Sequence, residues 1–568
     1  MTTHIPRPPY TQEELQILYP PALELAQVHI FFRHGERTPV SQRLGNAGLA
    51  GFWPFCSVMG QNQSTVLLPE HPPASHNSAI RSQTLFWRKL VETQSSNSES
   101  PTLAYPHIRQ GKSRPADAVL AGNGSICEQG MLTDRGRETT TALGQRLRQL
   151  YIKDLGFLPA VLTPSFAREE AFFRSTAVPR AMESLMQTIG GMWPNGHWDN
   201  TEMHAKTMFG SFPLDIVVRQ SPDEDLYPND WNCRRFAHLA REFADRAAQR
   251  WNNTPEMQYL TTKLGKWLPA GEVKLDGKPR LTGLMDTINA TRAHDPGVSL
   301  PSEFYDPKAM DFIEQMAVDE WYSGFSESRE YRMLGIGSLM GDVVERMVRG
   351  AETMSISKPG IPMKSSSEWQ AGQQGNLRFS LNGCHDTTLA AILASLGAFD
   401  RKTWPRFTSH IAIELFRDPI ALKSSNSASK SGFGFTTDDK PSTESTGRQG
   451  SHTGAIEKLE HLLHLHSQTT NSIGRRKIET LNTYEKERMK GYYVRLRFND
   501  QPLVIPGCKP EGKHWRDNEG LCTLETFKAI IDQFTPDDWK EACRVKKNGN
   551  SDFPTQVEAA GYDSLQQS

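Results

Sequence analysis

Apolar and polar positions alternate in one arrangement that occurs three times: an apolar run, a charged cluster where it ends, and a helix-like pattern after it. Ala26–Phe32 (AQVHIFF) leads into Arg33-His34-Gly35-Glu36-Arg37-Thr38-Pro39. Ala171–Phe173 leads into Arg174-Ser175-Thr176-Ala177-Val178-Pro179-Arg180, and Met182, Leu185, Met186 and Ile189 follow at helical spacing. Leu377–Leu381 (LRFSL) leads into Asn382-Gly383-Cys384-His385-Asp386-Thr387-Thr388, and Leu389, Ile392, Leu393 and Leu396 repeat that spacing. Short apolar runs of this kind suit buried strands, and the recurrence every three or four residues suits amphipathic helices. Gly190, Gly191 and Pro194 end the second helix and Gly397 the third. The Met182/Met186 face reads as core packing. A further helix over 135–153 has Leu143, Leu147, Leu150 and Tyr151 on its apolar side.

Strands alternating with helices predict an α/β fold, a mostly parallel sheet with helices on both faces. The chain of 568 residues is long for one compact domain, so an inserted domain is expected. Residues 205–330 have weaker periodicity and several Trp, Tyr and Pro residues; they are read as a smaller, mainly helical cap inserted into the core. The core then comprises 25–204 and 331–545, after an N-terminal extension over 1–24. Residues 91–102 are Ser-rich. Residues 422–455 are rich in Ser, Thr, Gly and Lys, cannot bury enough apolar surface to offset their ordering entropy, and read as a disordered insertion. That insertion joins two predicted strands, Ile411–Phe416 and Tyr492–Phe498. The tail over 546–568 reads as loose.

Lys and Arg number 64 against 65 Asp and Glu, a net charge of -1. A neutral chain without a basic block argues against nucleic acid as a main partner. No stretch reaches the roughly 18 apolar residues of a membrane-spanning helix, and residues 1–21 lack the apolar core of a secretory signal. The expected location is therefore intracellular, in the cytoplasm or mitochondrion. The seven cysteines, Cys56, Cys127, Cys233, Cys384, Cys508, Cys522 and Cys543, are an odd and sparse set that does not read as a disulfide scaffold. Cys508 and Cys522 are near enough in sequence to pair; free thiols are an equal reading.

Sites in open α/β sheets form beyond the carboxyl ends of the strands. Arg33, His34, Arg37, Arg180, His385 and Asp386 all fall there, an excess of positive charge with one carboxylate. Guanidinium forks make paired, charge-assisted hydrogen bonds to phosphate, and helix N-termini add N–H donors. Neutral imidazole is a nucleophile available near neutral pH. A carboxylic acid can protonate an alkoxide leaving group.

Arg33-His34-Gly35-x-Arg37-x-Pro39, Arg174-Ser175-Thr176-x-x-x-Arg180 and His385-Asp386, in this order, resemble the histidine acid phosphatases of the phosphoglycerate-mutase-like superfamily. Leu132-Thr133-x-x-Gly136, Asn232–Phe236, Pro506-Gly507-Cys508 and Cys522-x-Leu524-x-x-Phe527 belong to the same resemblance, which spans 25–543. Ala142–Arg148, Glu183-Ser184, Trp404-Pro405-Arg406-Phe407 and Ile413-Glu414-Leu415 are most similar to the lysophosphatidic acid phosphatase type 6 group. The resemblance implies that His34 attacks phosphorus and carries the phosphate, that Arg33, Arg37, Arg180 and His385 bind its oxygens, and that Asp386 is the proton donor. It implies no metal and no cofactor, and a small-molecule or lipid phosphomonoester as substrate. The chain departs from the family in having Ala177 where many relatives carry Asp, which bears on the loop that aims Arg180.

Other readings compete. A phosphotransferase or mutase on the same fold usually takes its proton donor, a glutamate, from elsewhere, so His385-Asp386 favours hydrolysis. A phytase is a narrower alternative, and an inactive phosphate-binding scaffold a third. Arg174 is equally readable as an ion-pair residue, and His29 as a packed core residue. His461, His464 and His466 border the low-complexity insertion without Cys or carboxylate company at ligand spacing, which favours a solvated helix over a metal cluster.

Overall fold

The computed structural model describes residues 2–56, 66–67, 87–88, 127–194, 214–294, 298–356, 377–399, 403–422, 472–544, 553–554 and 556–563. Residues 91–102, His461, His464 and His466, and the 422–455 insertion beyond residue 422 lie outside the described residues.

Nine strands form the main sheet: β1 (Glu24–Arg33), β2 (Ala171–Ser175), β3 (Ile216–Val217), β4 (Phe379–Cys384), β5 (His410–Arg417), β6 (Tyr492–Phe498), β7 (Gln501–Leu503), β8 (His514–Trp515) and β9 (Asn518–Thr523). Their order is β8-β9-β6-β5-β1-β4-β2-β3, with β7 on β6. From β1 to β3 the neighbours are parallel. From β1 outward through β5, β6 and β9 they are antiparallel. The sheet is thus mixed, and its parallel half carries all three motifs. The two strands predicted to flank the insertion are adjacent, with Ile411 opposite Phe498.

β1 buries both faces, as a central strand with helices on either side must. Val28, Ile30 and Phe32 pack with Phe379 and Leu381 on one face. Phe31 joins Ile411, Ile413 and Cys384 on the other. The first face is covered by α1 (Asp134–Leu147) and α2 (Pro179–Met192). α1 continues as a π-helical turn over 148–154.

α2 does not bury the stripe its apolar residues suggest. Ala181, Ser184, Leu185, Thr188, Ile189 and Met192 are buried, whereas Met182 and Met186 are only half-buried. The cause is close helix packing. A Cβ on Gly144 would lie 2.1 Å from the Thr188 carbonyl, and one on Gly191 2.2 Å from that of Thr141. Small residues let the two backbones touch, and the methionines rotate outward.

The other face is covered by α7 (Ser338–Ile356), α8 (Asp386–Ser395) and α9 (Leu524–Asp532). The helices between, α3 (Arg234–Trp251), α4 (Pro255–Leu264), α5 (Leu281–His294) and α6 (Pro307–Glu327), join the same apolar core through Phe236, Leu239, Leu284, Ile313 and Met316. No described helix is long and apolar enough to cross a membrane.

Three features differ from expectation. First, no helix directly follows Arg37; the chain instead forms a bridge between Arg37 and Leu132, and α1 packs on the motif from elsewhere. Second, six of the seven cysteines are bonded: Cys56–Cys127, Cys233–Cys543 and Cys508–Cys522. Only Cys384 is free, and it is buried. Two of these pairs join residues 71 and 310 positions apart, separations at which sequence offers no partner. Third, part of the tail is docked. Glu558 N–H donates to the Glu327 carbonyl at 2.8 Å, Gly507 N–H to the Gly561 carbonyl at 2.8 Å, and Asp563 pairs with Lys513. Polar, short segments give no periodic signal for such docking.

Candidate active site

β1, β4 and β2 run in parallel, with Arg33 opposite Cys384 and Ser175 opposite Gly383. Their carboxyl ends therefore release the three motifs at one edge. α2 starts at Pro179, whose fixed φ suits the first helical position, and α8 starts at Asp386. Both N-termini, the positive ends of their helices, lie in the same region.

The first motif is held by a glycine contact. A Cβ on Gly35 would sit 2.2 Å from the Gly136 carbonyl oxygen, and one on Gly136 2.2 Å from that of Glu36. Thr133, the N-cap of α1, donates its hydroxyl to the Glu36 carbonyl at 3.1 Å. The buried Glu36 carboxylate accepts from the Thr3 and Thr139 hydroxyls. The two residues after His34 are thus held in place, and on its other side Arg33 N–H donates to the Ser409 carbonyl at 2.9 Å.

His34 is almost fully buried. Its Nδ1–H donates to the Gly35 carbonyl at 2.8 Å, and its Nε2 accepts from Arg180 Nε–H at 3.2 Å. A carbonyl can only accept, so the proton sits on Nδ1 and the lone pair on Nε2. His385 packs edge-on to this ring at 5.5 Å, and its Nε2 lies 3.0 Å from the Thr176 hydroxyl. Burial first, then the nearby Arg180, Arg37 and Arg33 guanidiniums, hold His34 well below its ordinary pKa. Burial and Arg180 lower His385 to about 3, against the opposing pull of Asp386. Both shifts favour the neutral imidazole.

Arg33 gives Nη2 to Asp386 Oδ2 at 2.8 Å and Nη1 to the Pro405 carbonyl at 2.6 Å. Its guanidinium stacks 4.1 Å from the Phe407 ring centroid, and His34 approaches the same ring at 5.9 Å. Arg37 pairs with Asp286 of α5 at 2.7 Å. Arg180 also donates to the Gly130 carbonyl at 3.4 Å, and burial with the Arg37 charge lowers it to about 10. Among the described residues, the Nε atoms of Arg33 and Arg37 are buried donors without an acceptor. Burial alone would raise the Asp386 carboxyl, but Arg33, Trp404 and Arg37 outweigh it and hold it below its usual value.

All six expected residues therefore share one region: Arg33, Arg180, His385 and Asp386 through direct contacts or ring packing, and Arg37 through the field it exerts on His34 and its approach to Phe407, 5.8 Å away. Arg174 is elsewhere, its Nη2 bound to Glu224 at 2.5 Å and Asp225 at 2.6 Å. His29 is buried in the sheet against Gln27 at 2.8 Å. Sequence reasoning missed Asp286, the aromatic floor Phe407 and the Trp404 indole, which donates to Asp386 at 2.8 Å. Trp404 and Phe407 lie in a segment quoted for its resemblance, but nothing in the local pattern assigns them a role.

The arrangement offers an imidazole with an outward lone pair, a surrounding positive field and an adjacent carboxyl group. A family model described as "Histidine phosphatase superfamily (branch 2)" matches residues 24–433. The "Probable acid phosphatase" of Schizosaccharomyces pombe is 31% identical over 540 residues, 93% of this chain and 96% of that protein. Lysophosphatidic acid phosphatase type 6 of Homo sapiens is 26% identical over 289 residues, 51% of this chain and 57% of that protein. Among solved structures, the apo form of Hafnia alvei phytase aligns with a TM-score of 0.46 at 11% identity, covering 93% of this chain and all (100%) of the other.

Proposed function

The chain belongs to the histidine phosphatase superfamily, branch 2, as an acid phosphatase that hydrolyses phosphate monoesters, and on that premise we propose that His34 is its nucleophile and Asp386 its proton donor. A bound monoester draws Arg180 Nε–H from His34 Nε2 to a phosphate oxygen, which frees the lone pair. His34 Nε2 then bonds to phosphorus as the ester P–O bond breaks. Asp386 gives its proton to the departing alkoxide. Water next attacks the phosphohistidine, Asp386 takes a proton back, the P–N bond breaks, and phosphate leaves with His34 neutral again.

Arg33, Arg37, Arg180 and His385 stabilise the transferring phosphoryl group, whose charge is spread over its equatorial oxygens. The fixed tautomer of His34, facing Arg180 at 3.2 Å, carries the assignment. Asp386 is ionised in the free protein; an incoming dianion offsets the cationic field and raises its proton affinity.

For the substrate, we propose a monoester with an apolar leaving group, a lysophosphatidic acid-like lipid included. A shallow pocket starting at the residue after Arg37 has mixed walls, with Gln42, Arg43 and Glu128 beside Pro39, Leu49 and Trp53. What supports this substrate class is the similarity to lysophosphatidic acid phosphatase type 6. Residues 205–330 act as the cap in this reading, with Asp286 reaching Arg37. Three disulfides favour an oxidising compartment over the reducing one expected from sequence.

The test is rapid-quench labelling with a ³²P-labelled aryl phosphate in the presence of chelator. The expected product is a base-stable, acid-labile phosphoprotein that is absent in His34→Ala. Label on another residue, or undiminished turnover by that variant, would overturn the assignment.

A further inference from the structure

Asp386 is held by three donors divided unequally between its oxygens. Oδ2 accepts from Arg33 Nη2 at 2.8 Å and from Trp404 Nε1–H at 2.8 Å. Oδ1 accepts from the Thr387 backbone N–H at 2.9 Å. Each carboxylate oxygen has two lone-pair positions. Oδ2 is saturated, and a proton there would have to displace a guanidinium or an indole. Oδ1 keeps one position.

We infer that Trp404 is a positioning residue for proton transfer: together with Arg33 it occupies Oδ2 and so confines the transferable proton to Oδ1. The inference rests on the reading of Asp386 as the acid and adds which oxygen acts and what selects it. The nature of the donor matters. A second cation on Oδ2 would bias Asp386 further toward the carboxylate, while a neutral N–H fixes its rotamer at a smaller electrostatic cost.

Trp404 is itself fixed from α6. Its backbone N–H donates to Glu314 Oε1 at 2.7 Å, and the other oxygen of Glu314 meets Arg406 at 3.6 Å. Its ring packs against Tyr322 at 4.8 Å and Trp321 at 6.2 Å, both on α6. One indole therefore links the helical segment to the acid.

The experiment compares wild type, Trp404→Phe, Trp404→His and Asp386→Asn on 4-nitrophenyl phosphate and on an alkyl phosphate across pH. W404F keeps an aromatic ring and loses the donor. Its kcat on the alkyl ester should fall about tenfold or more, with a much smaller loss on the aryl ester. KM and inhibition by inorganic phosphate should stay near wild type. Loss of a donor to the carboxylate raises the Asp386 pKa, so the alkaline limb of the alkyl-ester profile should move to higher pH. W404H, which keeps a ring N–H, should recover part of the alkyl-ester rate. Equal losses on both esters with an unmoved limb would overturn the inference. If W404F does not fold, Trp404→Leu is read in its place by the same criteria. D386N separates the two levels. Failure of D386N to discriminate leaving groups removes Asp386 as the acid; discrimination by D386N but not by W404F removes only the role of Trp404.

Discussion

Arg180 Nε–H points at His34 Nε2 across 3.2 Å, so the guanidinium that adds to burial in lowering the imidazole's pKa also covers its lone pair. In the proposed mechanism phosphate and imidazole compete for that one donor, and the arginine field that would attract the dianion adds to burial in depressing the histidine.

Arg180→Gln therefore has a directional effect on pH dependence. Removal of the charge raises the His34 pKa, and the imidazole becomes protonated at higher pH as acid is added. The acid limb of kcat/KM for 4-nitrophenyl phosphate should move upward, and its plateau should fall by about 10²- to 10³-fold, as for loss of one donor to a developing oxyanion. A pH–rate profile checks both; a lowered plateau with an unmoved limb would separate Arg180 from the titration of His34.

Asp386→Asn should impair poor leaving groups more than good ones. Nitrophenolate departs without a proton, whereas an alkoxide does not. General acid catalysis contributes about 10²- to 10⁴-fold, so the alkyl-ester loss should approach that range and the aryl-ester loss should be much smaller. A series of esters spanning leaving-group pKa reads this as a steeper dependence in the variant.

Glu414 is a structural counterpart to the site. It is fully buried between Arg495 at 2.8 Å and Arg497 at 3.1 Å, and accepts from the Tyr19 and Tyr151 hydroxyls. Burial would raise its carboxyl, yet Arg495 and Arg497 prevail and lower it to about 2. An acid with a depressed folded-state pKa contributes stability that is complete above its unfolded pKa and is lost as pH falls through the folded value. Its contribution should therefore persist above pH of about 4.5 and disappear toward 2. Glu414→Gln removes the carboxylate between two buried guanidiniums, leaving Arg497 with the more distant Asp500 at 3.8 Å, and should cost about 3 kcal/mol, seen in urea unfolding at neutral pH and much reduced near pH 3.

The disulfides make a covalent prediction. Cys233, the N-cap of α3, is bonded to Cys543 across 310 residues. Paired replacement of both by Ser should cost about 2 to 5 kcal/mol. Thiol titration of the unreduced protein should find one thiol, Cys384, and only after denaturation, because that side chain is buried. Several reactive thiols in the native protein would contradict the pairing.

Local pattern was sufficient wherever burial repeats with the period of an element. The strands ending at Arg33, Ser175 and Cys384 and the helices beginning at Pro179 and Asp386 were legible because their apolar residues alternate or recur within a few positions. The motif residues were legible because strand ends in an α/β sheet deliver them to one edge. The rotation of α2 was not legible. Which side of that helix is buried depends on glycines of α1, not on its own hydrophobicity.

By itself, the sequence determined the elements and the chemistry at their ends: a histidine and its arginines after β1, an arginine opening α2, and His385-Asp386 opening α8. Only the tertiary structure decided who meets whom. It paired Cys233 with Cys543, brought Asp286 to Arg37, set Phe407 beneath Arg33 and turned Trp404 onto Asp386. Periodicity is a property of neighbouring residues and survives in a single string. A contact between distant residues depends on the path of the chain between them, and no local pattern records that path.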